Sequence, residues 1–336
     1  GEAKSLAAPS IAGDETDDLK QKESNSNSNE GGSNSRLSSS TQDIEEDPNA
    51  AAWKADDIDA FVDAINFGQP TMEISGVDLG KPLTPAVEVA VYQALIDHCV
   101  IFFRDQDIDP AHHLAFARGF GEIDQPHPVY AHVEGYEAIV KLANDANNPP
   151  DTDAWHTDLT FKQDPAFASI LVAREVPEVG GDTLWASLYA AYEALDDDIK
   201  SYLETLSAIH DMGDFRNTFS VGESDGRKLI EGMNRFGCAI HPVIKTHPVS
   251  GRKLLYVNES FTQHIVGLTA RESRSWLNWL LDHVSRPEYQ VRFRWQNGSV
   301  AMWDNRCTQH YAVADYLPAY RCMNRVTVVK DRRTNA

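Results

Sequence analysis

The sequence predicts a mostly β fold with flanking helices, a double-stranded β-helix or jelly-roll barrel. Short apolar, β-branched and aromatic runs recur at 138–142, 168–173, 239–241, 254–257, 289–295, 299–303 and 322–329. Gly, Pro and Asn turns punctuate them. Helix signals are few and fall mostly early in the chain, and no internal repeat is visible.

Taken in order, residues 1–50 form an acidic Ser/Asn-rich tail, with the run Ser24-Asn25-Ser26-Asn27-Ser28-Asn29 at its centre. Such a segment buries too little apolar surface to offset its ordering entropy, so the sequence predicts disorder there. From Trp53 onward the signals of a packed fold begin, with Ile58, Phe61, Val62 and Ile65 at helical spacing before Gly68. Thr84-Pro85 and Asp109-Pro110 each set a capping residue before a proline, which predicts helices over 85–98 and 110–119. Between them Val100-Ile101-Phe102-Phe103 reads as a strand buried on both faces. Thr269-Ala270-Arg271-Glu272 is a capping box opening a helix on which Trp276, Trp279, Leu280 and His283 share a core face. Asn297-Gly298 predicts a hairpin between the runs at 289–295 and 299–303.

A chain of 336 residues accommodates one large domain, placed at 51–336. The formal charge is −21; the first fifty residues hold eleven Asp/Glu against four Lys/Arg, a contribution of −7, which leaves −14 for the remainder. A globally acidic surface repels polyanions, so nucleic acid and acidic membrane are excluded as partners, and a small anionic substrate needs local arginines. Cys99, Cys238, Cys307 and Cys322 lack C-x-x-C spacing and sit in apolar or strand-like sequence. They read as reduced, buried thiols. With no apolar span and no signal-like segment, the expected location is the cytoplasm.

The chemistry concentrates in Trp155-His156-Thr157-Asp158 and in Trp303-Asp304-Asn305-Arg306-Cys307-Thr308-Gln309-His310. Residues two apart on an extended chain share a face, so His156 and Asp158 can aim an imidazole and a carboxylate at one point. His310 would complete the set. Two His and one carboxylate on one face of a metal leave positions open for a chelating co-substrate and O₂, which makes iron the first choice. Each piece alone is weak: an H-x-D triplet arises by chance in a chain with twelve His, and a His beside aromatics is more often a hydrogen-bonded core residue. Farther on, Arg321 and Arg325 lie four apart on one strand, facing the same way with α-carbons on the order of 13 Å apart. That spacing suits two neighbouring anions, against the ordinary reading of surface arginines paired with carboxylates.

These motifs, together with Gly180-Gly181-Asp182-Thr183-Leu184-Trp185 and Arg321-Cys322-Met323-Asn324-Arg325, resemble the taurine dioxygenase family of Fe(II)- and 2-oxoglutarate-dependent oxygenases. The likeness runs from about Glu73 to Val329, through Phe103-Arg104-Asp105-Gln106, His127-Pro128-Val129-Tyr130 and Val257-Asn258-Glu259. It implies Fe(II) on His156, Asp158 and His310, and 2-oxoglutarate held through its distal carboxylate by Arg321 and Thr183, with O₂ as the second co-substrate. It implies His127, Tyr130 and Arg325 around a sulfonate, with Phe219 and Phe261 walling the pocket, and a homo-oligomer. The implied reaction hydroxylates a small, taurine-like alkylsulfonate at the carbon bearing sulfur, releasing sulfite and an aldehyde with succinate and CO₂.

Two positions depart from the family's pattern. Thr152 stands where taurine enzymes carry Asn, and Thr218 where they carry Ser before the pocket Phe. A hydroxyl has a shorter reach toward an ammonium than an amide carbonyl, so taurine itself is less well matched than a small alkylsulfonate. The alternatives are the same oxygenase acting on a sulfate ester or an aryloxyalkanoate, and a non-catalytic anion-binding barrel. A zinc hydrolase fits less well because nothing marks a base beside a metal-bound water. The remaining histidines, among them His112, His113, His210, His241, His247, His264 and His283, read as core or surface residues.

Overall fold

The computed structural model describes residues 72–126, 130–150, 154–212 and 237–334. All lie within the compact unit from Ala52 to Ala336. The expected tail at 1–50 and the helix expected around Ile58 to Ile65 fall outside the described residues.

The first half runs β1 (Met72–Ile74), α1 (Pro85–His98), β2 (Val100–Phe103), α2 (Pro110–Phe120), β3 (Gly121–Ile123), β4 (His132–Val133), β5 (Tyr136–Asn144) and β6 (Ala168–Glu175). Next come β7 (Thr183–Ser187), α3 (Leu188–Glu193), α4 (Asp197–Leu203), β8 (Ser207–His210), β9 (Ala239–Pro242), β10 (Ile244–Thr246) and β11 (Lys253–Leu255). The last part contains β12 (Thr262–Ile265), α5 (Ala270–Val284), β13 (Gln290–Phe293), β14 (Val300–Asp304), β15 (Thr308–Ala312) and β16 (Arg321–Asp331). The described residues are therefore mostly β with few helices.

Eight strands form the principal sheet in the order β1-β2-β14-β6-β16-β5-β4, with β3 also paired to β16. All its pairings are antiparallel except β1 with β2. Its side chains alternate between two cores, as a period of two requires. Ile170, Val172, Met302 and Val326 pack in the cluster that includes Val91 and Leu95 of α1 and Phe116 and Phe120 of α2. Leu171, Ala173, Ala301, Trp303 and Met323 join Trp185 and Phe293 from the smaller sheet β13-β7-β15. Covered on both faces, Val100–Phe103 is buried along its whole length and reads as a continuous apolar run.

The helix starts follow their capping chemistry. Thr84 accepts from the Val87 amide at 3.3 Å and Asp109 from the His112 amide at 2.8 Å. At α5, the Thr269 hydroxyl accepts from the Glu272 amide while the Glu272 carboxylate accepts from the Thr269 amide. Each closes orphan N–H groups of a first turn.

Several expectations are corrected. The Asn297-Gly298 turn exists, with Gly298 at φ +76°, but it does not close a hairpin, because β13 pairs with β7 and β14 with β2 and β6. It carries the chain from one sheet to the other, and a Cβ on Gly298 would lie 3.0 Å from the Gln106 carbonyl oxygen. Trp279 is 42% exposed, whereas Leu280 and His283 are buried; the apolar stripe of α5 is narrower than the four positions suggested. All four cysteines are free, with Cys99, Cys307 and Cys322 buried and Cys238 exposed. Among the described residues no helix is long and apolar enough to cross a membrane.

Candidate metal centre and anion pocket

The site begins with a two-residue backbone bridge. The His156 amide donates to the His310 carbonyl at 3.1 Å, and the His310 amide donates back at 2.8 Å. Residues opposed in this way project their side chains to the same face, and the two imidazole centroids stand 4.1 Å apart. Asp158, two residues on, returns to that face, with Oδ1 3.9 Å from His156 Nε2. Leu159 then turns the chain away at φ +60°. One candidate ligand atom from each of His156, Asp158 and His310 lies within 4.8 Å of the others. All three residues are buried, at 8%, 5% and 6% exposure.

Each donor is prepared by its surroundings. His156 Nδ1 lies 2.9 Å from the Ala154 carbonyl oxygen; a carbonyl can only accept, so Nδ1 carries the proton and Nε2 keeps its lone pair. Burial first, then His156 beside it, pushes His310 well below the usual imidazole pKa, which leaves it neutral. Its Nδ1 is buried without a hydrogen-bond partner. By contrast, ring nitrogens of the buried residues His113, His241 and His283 rest on carbonyl oxygens, as ordinary core histidines do. Burial opposes ionisation of Asp158, but Arg325, ahead of the two imidazoles and Ser169, outweighs it and holds the carboxyl below its usual range. Imidazole nitrogens beside an ionised carboxylate are the donor set a divalent iron requires, so these residues fit the metal.

Two arginines on β16, Arg321 and Arg325, are both largely shielded from solvent, and the reading of them as surface residues is overturned. Arg321 is buried, and its Nε donates to the Gly181 carbonyl at 3.2 Å. No carboxylate among the described residues forms an ion pair with it. Gly181, at φ +72°, is needed where it stands, since a Cβ there would meet Arg321 Cδ at 3.1 Å and Nε at 3.2 Å. Two residues along, the Thr183 hydroxyl accepts from Trp295 Nε1 at 2.9 Å. The indole can only donate, so the Thr183 proton remains available to an anion. The Arg325 side chain is 13% exposed; its Nη1 donates to Asp158 Oδ1 at 3.2 Å and its guanidinium lies 5.9 Å from the Tyr130 ring centroid.

Phe261 packs edge-on against His156 and Phe161, with centroids 6.4 Å and 5.2 Å away. Phe161 is a wall that the motifs did not single out. His127, Thr152, Thr218 and Phe219 lie outside the described residues. Ser169 and Asn305 stand behind Asp158; Asn305 lay within the Trp303 to His310 motif without a role, and the signal for Ser169 was a lone hydroxyl in the apolar run of β6. A second cluster, His247, Asp304 and Cys307, has ligand-like spacing, but His247 Nδ1 accepts from the Val249 and Ser250 amides. Its Nε2–H is therefore committed to Asp304 Oδ2 at 3.1 Å, and Arg306 occupies both oxygens of that carboxylate. It is a closed polar network.

Comparison with known proteins gives the family. Residues 64–327 match the profile of the taurine catabolism dioxygenase TauD, TfdA family. An alkylsulfatase from Acinetobacter baylyi is 35% identical over 274 residues, covering 80% of this chain and 85% of that protein. An alpha-ketoglutarate-dependent sulfate ester dioxygenase from Pseudomonas putida is 36% identical over 266 residues, covering 78% and 87%. The crystal structure of a taurine dioxygenase from Burkholderia xenovorans superposes with a TM-score of 0.67 at 36% identity, over 78% of this chain and 86% of that one. The chain therefore belongs to the TauD, TfdA family and is an Fe(II)- and 2-oxoglutarate-dependent dioxygenase.

Proposed function

We propose that the protein hydroxylates a small organosulfur anion, an alkylsulfonate or a sulfate ester, at the carbon next to the sulfur-bearing group. The observation that carries this reading is the second shielded arginine, Arg325, placed beside the carboxylate of the metal-ligand set. On this reading His156, Asp158 and His310 hold Fe(II), Arg321 and Thr183 hold the distal carboxylate of 2-oxoglutarate, and Tyr130 and Arg325 receive the substrate anion. Phe261 walls the pocket, and His127, Thr152, Thr218 and Phe219 complete it. The domain spans 51–336, its two facing sheets are those of a double-stranded β-helix, and its free cysteines suit a reducing cytoplasm.

The bound iron and 2-oxoglutarate supply oxygen activation and the oxidation of the C–H bond. The protein's own residues bind, orient and exclude water. Arg321 stays charged although burial lowers its pKa, so it can take a carboxylate with its planar fork while Thr183 donates its hydroxyl proton. An incoming anion competes with Asp158 for Arg325. Phe161 and Phe261 keep the space beside His156 apolar, which strengthens each charged contact made there.

The two substrate types separate by product. Hydroxylation beside sulfur in a sulfonate releases sulfite, whereas hydroxylation at the carbon bearing the ester oxygen of a sulfate ester releases sulfate; each leaves an aldehyde. The relatives named for sulfate esters favour the ester, and the taurine dioxygenase structure favours the sulfonate. Thr152 disfavours an amine-bearing substrate in either case. A panel of both types, incubated with Fe(II), 2-oxoglutarate and O₂, is expected to give succinate matched by sulfite or sulfate. Turnover confined to an aryloxyalkanoate would overturn the organosulfur reading.

The arginines should separate in kinetics. Arg325→Ala is expected to raise the substrate KM by about 10- to 100-fold, the loss of one charge-assisted contact, with a small change for 2-oxoglutarate. Arg321→Ala should do the reverse. Equal losses for both ligands in either variant would refute this division.

A further inference from the structure

We infer that Ser169 is a positioning residue that restricts Asp158 to a single-oxygen grip on the metal, through a hydrogen-bond relay beginning at Trp303. This rests on the metal centre proposed above. Trp303 Nε1 lies 2.9 Å from Asn305 Oδ1, Asn305 Nδ2 lies 2.9 Å from Ser169 Oγ, and Ser169 Oγ lies 2.6 Å from Asp158 Oδ2. Trp303, Asn305 and Ser169 are fully or almost fully buried, so water does not substitute for a missing partner.

The direction of every proton in the relay is dictated from one end. An indole N–H can only donate, so Asn305 must turn its carbonyl oxygen to Trp303 and its NH₂ to Ser169. Ser169 then accepts from Asn305, and its own hydroxyl proton goes to Asp158 Oδ2. The ionised carboxylate is a pure acceptor, which completes a chain without conflict. With Oδ2 tied back by Ser169, Oδ1, which lies 3.9 Å from His156 Nε2 and also accepts from Arg325 Nη1 at 3.2 Å, is the one presented to the metal. A second carboxylate oxygen on the metal would fill one of the positions needed by a chelating co-substrate and O₂. Trp303 also packs against His310, with centroids 4.8 Å apart, so one side chain steadies two of the three ligands.

The test uses Co(II) as the metal probe on the whole 336-residue chain, reading affinity by chelator competition and coordination by the visible d–d bands. Ser169→Ala is expected to weaken Co(II) binding by about 10- to 100-fold and to change the d–d bands as the freed oxygen joins the metal. Trp303→Phe keeps a ring against His310 but removes the N–H, so Asn305 can reverse its amide and draw the Ser169 proton away from Asp158. It should give the same spectral change with a smaller loss of affinity. Ser273→Ala, which removes a buried hydroxyl on α5 that accepts from the Ile265 amide, is the control and should leave the bands unaltered. Wild-type affinity and bands in both relay variants would overturn the inference while leaving the metal centre intact. Failure of the wild-type chain to bind Co(II) would overturn the metal centre and the inference with it.

Discussion

His310→Ala is expected to bring 2-oxoglutarate-dependent turnover to background while leaving the fold in place. Deleting one of the three proposed protein ligands should lower metal affinity by about a thousandfold, equivalent to roughly 4 kcal/mol of binding energy. The two hydrogen bonds between residues 156 and 310 are made by main-chain N–H and C=O groups, and alanine keeps both. The substituted chain should therefore still hold Asp158 beside His156. What disappears is the third donor, a neutral buried imidazole with an open nitrogen. Succinate formation with saturating Fe(II), alongside the thermal transition of the metal-free protein, checks this. Iron-dependent turnover close to wild type would remove His310 from the ligand set.

Arg306→Leu carries the largest expected cost to stability, about 3–5 kcal/mol, the range for removing one partner of a buried ion pair. Arg306 reaches Asp304 through Nε and Nη2, at 2.9 Å and 2.6 Å, and Asp331 through Nη1 at 2.9 Å, with its guanidinium over the Phe167 ring. Both carboxylates are buried. Leucine leaves two charges facing each other across an apolar side chain. Burial by itself would raise the pKa of Asp304, but Arg306, with help from the His247 hydrogen bond, holds it below the usual carboxylate range. A carboxyl depressed in the folded state contributes stability above its unfolded pKa and loses it only as pH falls through the lower folded value. The wild type should keep this contribution down to the lower edge of the carboxylate range, whereas Arg306→Leu should be weakened already at neutral pH. Denaturant titrations at several pH values test the claim, and equal midpoints near neutrality would refute it.

Local chemistry was legible in the sequence wherever the interaction spans a few residues. Thr84, Asp109 and Thr269 cap helices using amides three positions away, so no distant partner is involved. Val100–Phe103 was equally plain, because a strand buried on both faces shows its burial as an uninterrupted apolar run. Asn297-Gly298 shows where that legibility ends. Its backbone preference specified a turn, but pairing belongs to whole strands, and β13 and β14 find their partners in different sheets. β7 and β15, which carry Thr183 and His310, mix polar and apolar residues and stood out as motifs without being read as strands.

The candidate site divides along the same line. His156, Asp158, His310, Arg321 and Arg325 were legible as candidate metal and anion groups, and Thr183 through the family resemblance, because donor types and side-chain charge are properties of single residues. Convergence was another matter. The bridge between His156 and His310, the clearance that Gly181 gives Arg321, and the tie from Trp303 through Asn305 and Ser169 to Asp158 all join segments distant in the chain. Only tertiary packing brings them within hydrogen-bond range, since a directional bond of about 3 Å depends on where two backbones lie in space and not on their separation in sequence.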